Sequence, residues 1–160
     1  MRRITLDDAD VMLAIWNDPA FVQYVGDRGV RTIEQAQQVL GESVLTLYET
    51  YGYGPYCMIR KADVQRIGIC GLFRREHLEH PDIGFAVLPE FCGAGFALEA
   101  ASAVVEHARV DLDIRTLTAI VSPKNTTSIG LIEKLGLSLV GGITMPGERE
   151  EVRLYSKDLD

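Results

Sequence analysis

The spacing of apolar residues along the chain predicts helices and strands in alternation. Apolar positions three and four residues apart indicate amphipathic helices, whereas short apolar or alternating runs between Gly, Pro and Asn indicate strands. The predicted helices lie at 6–16, 32–47, 98–110 and 126–135. The predicted strands lie at 56–60, 66–73, 82–88, 116–121, 137–142 and 151–156.

This order of elements predicts the fold class. Two helices and a β-hairpin come first, and the order then continues β, α, β, α, β, β, which is typical of an α/β or α+β domain built on a mixed sheet. The 160 residues are enough for one hydrophobic core. We therefore expect a single domain over residues 1–160.

A glycine-bearing turn, Pro-Glu-Phe-Cys-Gly-Ala-Gly-Phe-Ala at 89–97, joins a predicted strand to a predicted helix. The first turn of a helix has unpaired N–H groups and a partial positive charge, which together bind phosphate. Side chains at Gly93 or Gly95 would hold a phosphate away from the backbone. Glycines also occur where a chain only needs to turn, so the motif alone leaves both interpretations open.

Composition excludes several functional classes. The net charge of −7 and the absence of a basic patch argue against nucleic-acid binding. No apolar run approaches the roughly 20 residues that span a bilayer, and the polar N-terminal segment does not resemble a secretory signal. We expect a cytoplasmic protein that binds neither nucleic acid nor membrane, and a cationic or neutral small partner.

The cysteines and histidines do not indicate a disulfide framework or a metal site. Cys57 and Cys70 lie in apolar runs and are expected in the core. Cys92 lies in the glycine turn and could act as a nucleophile, although no histidine is near it in the sequence. The three histidines lack metal-ligand spacing, so we expect no metal.

A second motif follows the strand at 116–121. Asn125 precedes a short predicted helix, Ser128 lies in its first turn, and Gly136 ends it. Asn125 could bind a ligand through its amide or could simply cap the helix.

Together the two motifs resemble the GNAT superfamily of acetyl-CoA-dependent N-acetyltransferases. The glycine turn resembles the family's pyrophosphate loop, Q/R-x-x-G-x-G/A, with Glu90 at the Gln/Arg position. The Asn-x-x-Ser…Glu-Lys-x-Gly run resembles the motif after the family's fifth strand. Asp82-Ile-Gly-Phe, Gly-Ala-Gly-Phe-Ala-x-Glu-Ala and Leu6-x-Asp-Ala-Asp are similar to the branch that acetylates N-termini of ribosomal proteins.

The resemblance covers nearly the whole chain, and it implies a fold, a cosubstrate and a reaction. The implied sheet is mixed but mostly antiparallel, with flanking helices and a splayed central strand pair. The implied reaction moves an acetyl group from acetyl-CoA to a primary amine, by direct attack in a ternary complex. The acceptor would be a protein N-terminus or a small amine, and the enzyme a monomer or homodimer. The implied cofactor contacts are Phe85, Ala86, Val87, Cys92, Gly93, Ala94, Gly95, Phe96, Ala97 and Asn125.

Acetyl transfer to an amine needs a base, a donor to the oxyanion and a proton for the leaving thiolate. The resemblance assigns Asp82 as the base and Ser128 as the group that protonates or hydrogen-bonds the thiolate. Asp82 could instead merely begin a strand, in which case Glu79, and after it Glu148, are the alternative bases. For the acceptor, the resemblance implies Trp16, Tyr24 and Tyr53, although such aromatics could equally pack in the core.

Three features depart from the family pattern. Glu90 replaces the usual Gln or Arg, Ile132 stands where many members have a Tyr that protonates the thiolate, and the first strand is very short. These departures leave open a second class of function, a non-catalytic sensor of acetyl-CoA.

Overall fold

A seven-stranded sheet crosses the protein in the computed structural model, which describes residues 1–160. The strand order is β1-β2-β3-β4-β5-β7-β6, and only β4 and β5 are parallel neighbours. The strands are β1 Arg2–Arg3, β2 Pro55–Ile59, β3 Arg66–Phe73, β4 Asp82–Val87, β5 Thr116–Val121, β6 Ser138–Thr144 and β7 Glu151–Asp158. The helices are α1 Ala9–Trp16, α2 Pro19–Tyr24, α3 Ile33–Val39, α4 Leu45–Tyr51, α5 Phe96–Val110 and α6 Thr126–Lys134.

Two hydrophobic clusters lie on opposite faces of the sheet. One packs α5 and α6 against the sheet, and the other packs α1, α3 and α4 against it. The central strand β3 serves both, because Ile69 belongs to the second cluster whereas Cys70 and Leu72 belong to the first. A strand buried on both faces reads as a continuous apolar run, as this one does. The predicted fold class, a mixed and mostly antiparallel sheet between helices, is confirmed.

The N-terminal helices differ from the prediction. The prediction placed no helix between residues 16 and 32, but Asp18 and Pro19 begin α2, since the Asp18 carboxylate accepts the Phe21 N–H at 3.3 Å. Proline fits the first turn of a helix, where its missing N–H costs nothing. The predicted helix at 32–47 is α3, a wider π turn at Leu40–Val44 and α4, which continues to Tyr51 before Gly52.

Asp8 fastens the short strand β1 to the domain. Its carboxylate is 1% exposed and accepts from Arg2 at 2.7 and 2.8 Å, from Arg66 at 3.3 Å and from the Thr5 N–H at 2.9 Å. These donors outweigh the effect of burial and lower the pKa of Asp8 to about 2. The pairing explains how a two-residue strand can hold the edge of the sheet.

We expect Asp8→Asn to lower the free energy of unfolding at pH 7 by about 2 kcal/mol, because folding lowers the pKa of Asp8 by about two units. Because the folded-state pKa is depressed, this stability is present above about pH 4 and disappears as the pH falls toward 2. Urea unfolding of wild type and variant should therefore converge at low pH. Asp7→Asn, at an exposed neighbour, is the control. A pH-independent difference would contradict this role.

Two kinds of feature are absent. None of the helices combines the length and apolar character needed to cross a bilayer. No three His, Cys, Asp or Glu side chains converge as a possible metal site.

Candidate active site

A gap between β4 and β5 opens beyond a single point of contact. The two parallel strands are in register only at Asp82 and Thr118, where the Thr118 N–H also donates to the Pro81 carbonyl at 2.9 Å. Further along, β4 pairs only with β3, and β5 pairs only with β7. The sheet therefore splays toward the carboxyl ends of β4 and β5.

Backbone groups of β4 face this gap. The Leu88 N–H donates to Ile67 of β3 at 2.9 Å. Because backbone groups alternate sides along an extended strand, the N–H and C=O of Phe85 and Val87 point the other way, toward β5. Such groups need partners. An extended ligand with amide groups can supply them as an added strand does.

The glycine turn presents six free donors at the open end of the gap. The N–H groups of residues 93–98 make no hydrogen bond within the protein. Gly95 caps α5 with φ +84° and offers no side chain, and Gly93 has φ +79°. A Cβ at either glycine would meet no protein atom within 4 Å, so the space above the turn is open. The 15-residue helix α5 adds its positive dipole end, which makes this an anion site.

Asn125 and Ser128 lie across the gap from the turn, after β5. Asn125 caps α6, since its Oδ1 accepts the Ser128 N–H at 3.2 Å. The Asn125 amide nitrogen and the Ser128 hydroxyl make no hydrogen bond, and both residues are half-buried. The two motifs follow the carboxyl ends of parallel neighbours, so the topology brings them to one edge of the sheet. Both polar groups are available to a ligand in the gap.

Cys92 is held as a thiol. Its Sγ lies 3.5 Å from the Val87 carbonyl and 3.6 Å from the Leu88 carbonyl. Partial burial, together with the negative charges of Asp18 and Glu90, raises the pKa of Cys92. A raised pKa disfavours the nucleophilic thiolate at neutral pH. Cys57 and Cys70 are buried, which confirms their prediction as core thiols.

Asp82 lies at the closed end of the gap. It is 1% exposed, and it accepts the Arg75 Nε–H at 3.0 and 3.2 Å. Burial raises the pKa of Asp82, although the Arg75 and Arg74 charges oppose the shift. An amine could exchange a proton with so enclosed a carboxylate only through water or after a local movement. The alternative bases, Glu79 and Glu148, are exposed.

The predicted acceptor residues are separated in the fold. Trp16 and Tyr53 are 5% and 7% exposed and belong to the two hydrophobic clusters, so they pack in the core. Tyr24 is half-buried on α2. Large aromatic side chains serve packing and recognition equally well, so sequence alone could not distinguish these environments.

The structure adds a pocket that sequence reasoning missed. It has a volume of about 230 Å³ and lies on the face of β5, β7 and β6 beside the loop before β4. Strand alternation places Thr118 and Ser156 on the same face as Asp82, and pairing of the strands could have identified them. The lining residues are His77, Leu78, Glu79, His80, Thr118, Val140, Ile143, Leu154 and Ser156.

Residues 1–138 match the family model described as the acetyltransferase (GNAT) domain. The chain belongs to the GNAT acetyltransferase family. It is 28% identical over 143 residues to an uncharacterized N-acetyltransferase, p20, of Bacillus licheniformis, covering 88% of this chain and 79% of that protein. The predicted family and the predicted enzyme class, an N-acetyltransferase, are confirmed, and the match favours an enzyme over a sensor.

Solved GNAT structures share the fold. The ribosomal L7/L12 α-N-protein acetyltransferase RimL, in complex with coenzyme A, superposes with a TM-score of 0.84 at 18% identity, covering 99% of this chain and 93% of that chain. The spermidine N-acetyltransferase of Vibrio cholerae, in complex with CoA and spermine, gives a TM-score of 0.81 at 13% identity, covering 99% and 94%. At these identities the likeness establishes the fold and leaves the acceptor open.

Proposed function

We propose that this GNAT enzyme transfers the acetyl group of acetyl-CoA to a primary amine by direct attack in a ternary complex. The observation that carries the proposal is the run of six free N–H groups at residues 93–98, beside an open strand gap. The turn from Cys92 to Ala97 would hold the diphosphate of the cofactor. Coenzyme A, which carries the same diphosphate, is bound in the RimL and spermidine acetyltransferase structures.

The pantetheine arm would lie in the gap as a strand-like partner of β4. Its amides would pair with the backbone of Phe85 and Val87 and pack beside Ala86, and the free amide of Asn125 would contact it from α6. A Val87 N–H directed into the gap would donate to the thioester oxygen. Such a donor stabilises the oxyanion that forms during attack.

Two side chains would move the protons. An alkylamine is mostly protonated at neutral pH, so a base must free it before attack. Asp82 is our candidate, acting through a chain of water molecules along β4, because its burial raises its pKa toward the range useful for a base. The free Ser128 hydroxyl would hydrogen-bond or protonate the leaving thiolate, in place of the tyrosine that Ile132 replaces.

The acceptor would enter from the face of β4 that carries Asp82, beside Tyr24 and the pocket on the same face of β5, β7 and β6. RimL is named for a protein N-terminus and the Vibrio enzyme for spermidine, so the fold accommodates both kinds of amine. Both remain candidate acceptor classes here.

An acceptor screen tests this function. The enzyme should release CoA thiol from acetyl-CoA only when a suitable amine is present, and mass spectrometry should find the acceptor heavier by one acetyl group. Initial-velocity plots against both substrates should intersect, because direct attack forms no acetyl-enzyme. Parallel plots with an acetylated Cys92 would contradict direct attack. Binding of acetyl-CoA without transfer to any amine would contradict the enzyme function.

A further inference from the structure

An acceptor can reach the gap between β4 and β5 from only one face of the sheet. On the other face, α5 packs beside β4 and α6 packs beside β5, and the proposed cofactor site lies at the start of α5. The amine must therefore approach from the face that carries Asp82 and Thr118, the acceptor face.

Helices cover only half of the acceptor face. The hydrophobic cluster formed with α1, α3 and α4 includes side chains of β2 and β3 but none of β5, β6 or β7. Ile120 and Leu154 point to this bare half, because their neighbours Ala119 and Tyr155 belong to the cluster on the other face. The free space for the body of an acceptor therefore lies over β5, β7 and β6.

The pocket of about 230 Å³ lies on this bare half, and its floor is apolar. Leu154 and Ile143 are half-buried, and Val140 is 64% exposed. Polar groups are few. The Thr118 hydroxyl already donates to a backbone carbonyl at 3.0 Å, whereas the Ser156 hydroxyl makes no hydrogen bond. An apolar pocket with a few polar groups is typical of a ligand site.

The pocket does not suit a second ammonium group. Glu79 is its only acidic lining residue, and the Glu79 side chain is 88% exposed. The other ionisable lining residues, His77 and His80, are neutral or positively charged. A polyamine would place a charge over the apolar floor without a buried partner, which is unfavourable.

An extended chain can join the pocket to the thioester. The strand register puts Leu154 level with Ile120 and hence with Gly84 of β4, three residues before Val87. Three strand residues span about 10 Å and neighbouring strands lie about 5 Å apart, so the thioester is roughly 10–15 Å from the pocket. In an extended polypeptide, the side chain of the second or third residue reaches this far from the N-terminal amine, whereas a short amine does not.

The far side of the pocket is open to a longer chain. Gly141 pairs with Leu154 and so lies on the acceptor face, and a Cβ at Gly141 would meet no protein atom within 4 Å. Residues 138–142 of the edge strand β6 are exposed. A polypeptide can therefore continue past β6 into solvent, whereas a pocket closed around a small amine would block it.

Building on the acetyl transfer proposed above, we propose that the acceptor is a polypeptide N-terminus and that the pocket receives a bulky apolar side chain at its second or third residue. The N-terminal amine lies in the gap beside the thioester, and the following residues cross β5 and β7. The free Ser156 hydroxyl is available to a peptide group of this chain, which leaves the protein over Gly141.

Matched acceptors test the proposal. Hexapeptides that begin with Ser, Ala or Met carry Leu, Ser or Asp at the second or third position; spermidine and 2-phenylethylamine are the small-amine probes. At least one Leu peptide should show kcat/KM higher than its Ser counterpart by about 10-fold or more, as expected for burial of a Leu side chain. The same peptide should exceed both small amines.

Val140→Asp should bring the Leu and Ser peptides close to parity, because it places a charge against the apolar side chain. Val140 is largely exposed, so the domain has little packing to lose. Leu139→Asp is the matched control and should keep the preference, since Leu139 is 55% exposed and pairs with Tyr155, on the other face.

Three results would each overturn the proposal while acetyl transfer stands. They are equal use of Leu and Ser peptides by the wild type, a preference for either small amine over the peptides, and a Leu preference unchanged in Val140→Asp. No transfer to any amine would overturn the proposed function itself, and this inference with it.

Discussion

Gly95→Val is expected to weaken acetyl-CoA binding by about 100-fold or more. Gly95 has φ +84°, which a β-branched residue adopts only at a cost of about 1–3 kcal/mol. The new side chain would also fill the open space over the free N–H groups, and each charge-assisted hydrogen bond lost there is worth about 1.5–3 kcal/mol. Since 1.4 kcal/mol is roughly tenfold in affinity, the loss of two such hydrogen bonds, about 3–6 kcal/mol, alone exceeds two orders of magnitude.

Titration calorimetry with acetyl-CoA measures this effect directly. Gly147→Val is the matched control, because Gly147 also has positive φ, +83°, and open space at its Cβ but lies in the turn between β6 and β7. It imposes similar backbone strain away from the phosphate site and should bind acetyl-CoA as the wild type does. Equal affinity for acetyl-CoA in wild type and Gly95→Val would show that the turn does not bind the phosphates.

Asp82→Asn is expected to lower kcat by about 100-fold or more, the usual contribution of a general base. Asparagine has nearly the same shape and can still accept from Arg75, but it cannot take a proton from the amine. Burial raises the pKa of Asp82, so wild-type kcat/KM should fall as the pH drops through a value above that of an ordinary aspartate. The variant should lack this acidic limb.

The control separates catalysis from the loss of a buried charge. Asp8→Asn also neutralises a buried, arginine-bound carboxylate, but at the opposite end of β3, since Asp8 pairs with Arg66 whereas Asp82 lies beside Phe73. Assayed where both variants are folded, Asp8→Asn should keep the wild-type kcat and pH profile. Affinity for acetyl-CoA should be unchanged in both. A wild-type pH profile in Asp82→Asn would show that another group is the base, and Glu79 would be tested next.

Local patterns predicted most of the fold because each core strand and helix has its own periodicity. The strands at 66–73 and 116–121 are where the apolar runs placed them. Residues 19–24 were missed because Pro19 is a stop signal for one helix and a start signal for the next. The splay between β4 and β5 is a tertiary feature, and only the family resemblance implied it.

The sequence indicated the cofactor side of the site better than the acceptor side. The turn at 93–98 binds through backbone groups, and the glycines that free those groups are visible in the sequence. The acceptor side depends on side chains from distant segments, because the loop before β4 and the β5, β7, β6 face meet only in the folded chain. Asp82 was predicted from the sequence as the base, but its burial and its pairing with Arg75 follow from packing.

A crystal structure of the protein grown with CoA tests the central claim most directly. We expect the diphosphate oxygens within hydrogen-bond distance of the N–H groups of residues 93–98, with the pantetheine arm in the gap between β4 and β5. A diphosphate bound elsewhere, or a gap left empty while CoA is bound, would contradict it.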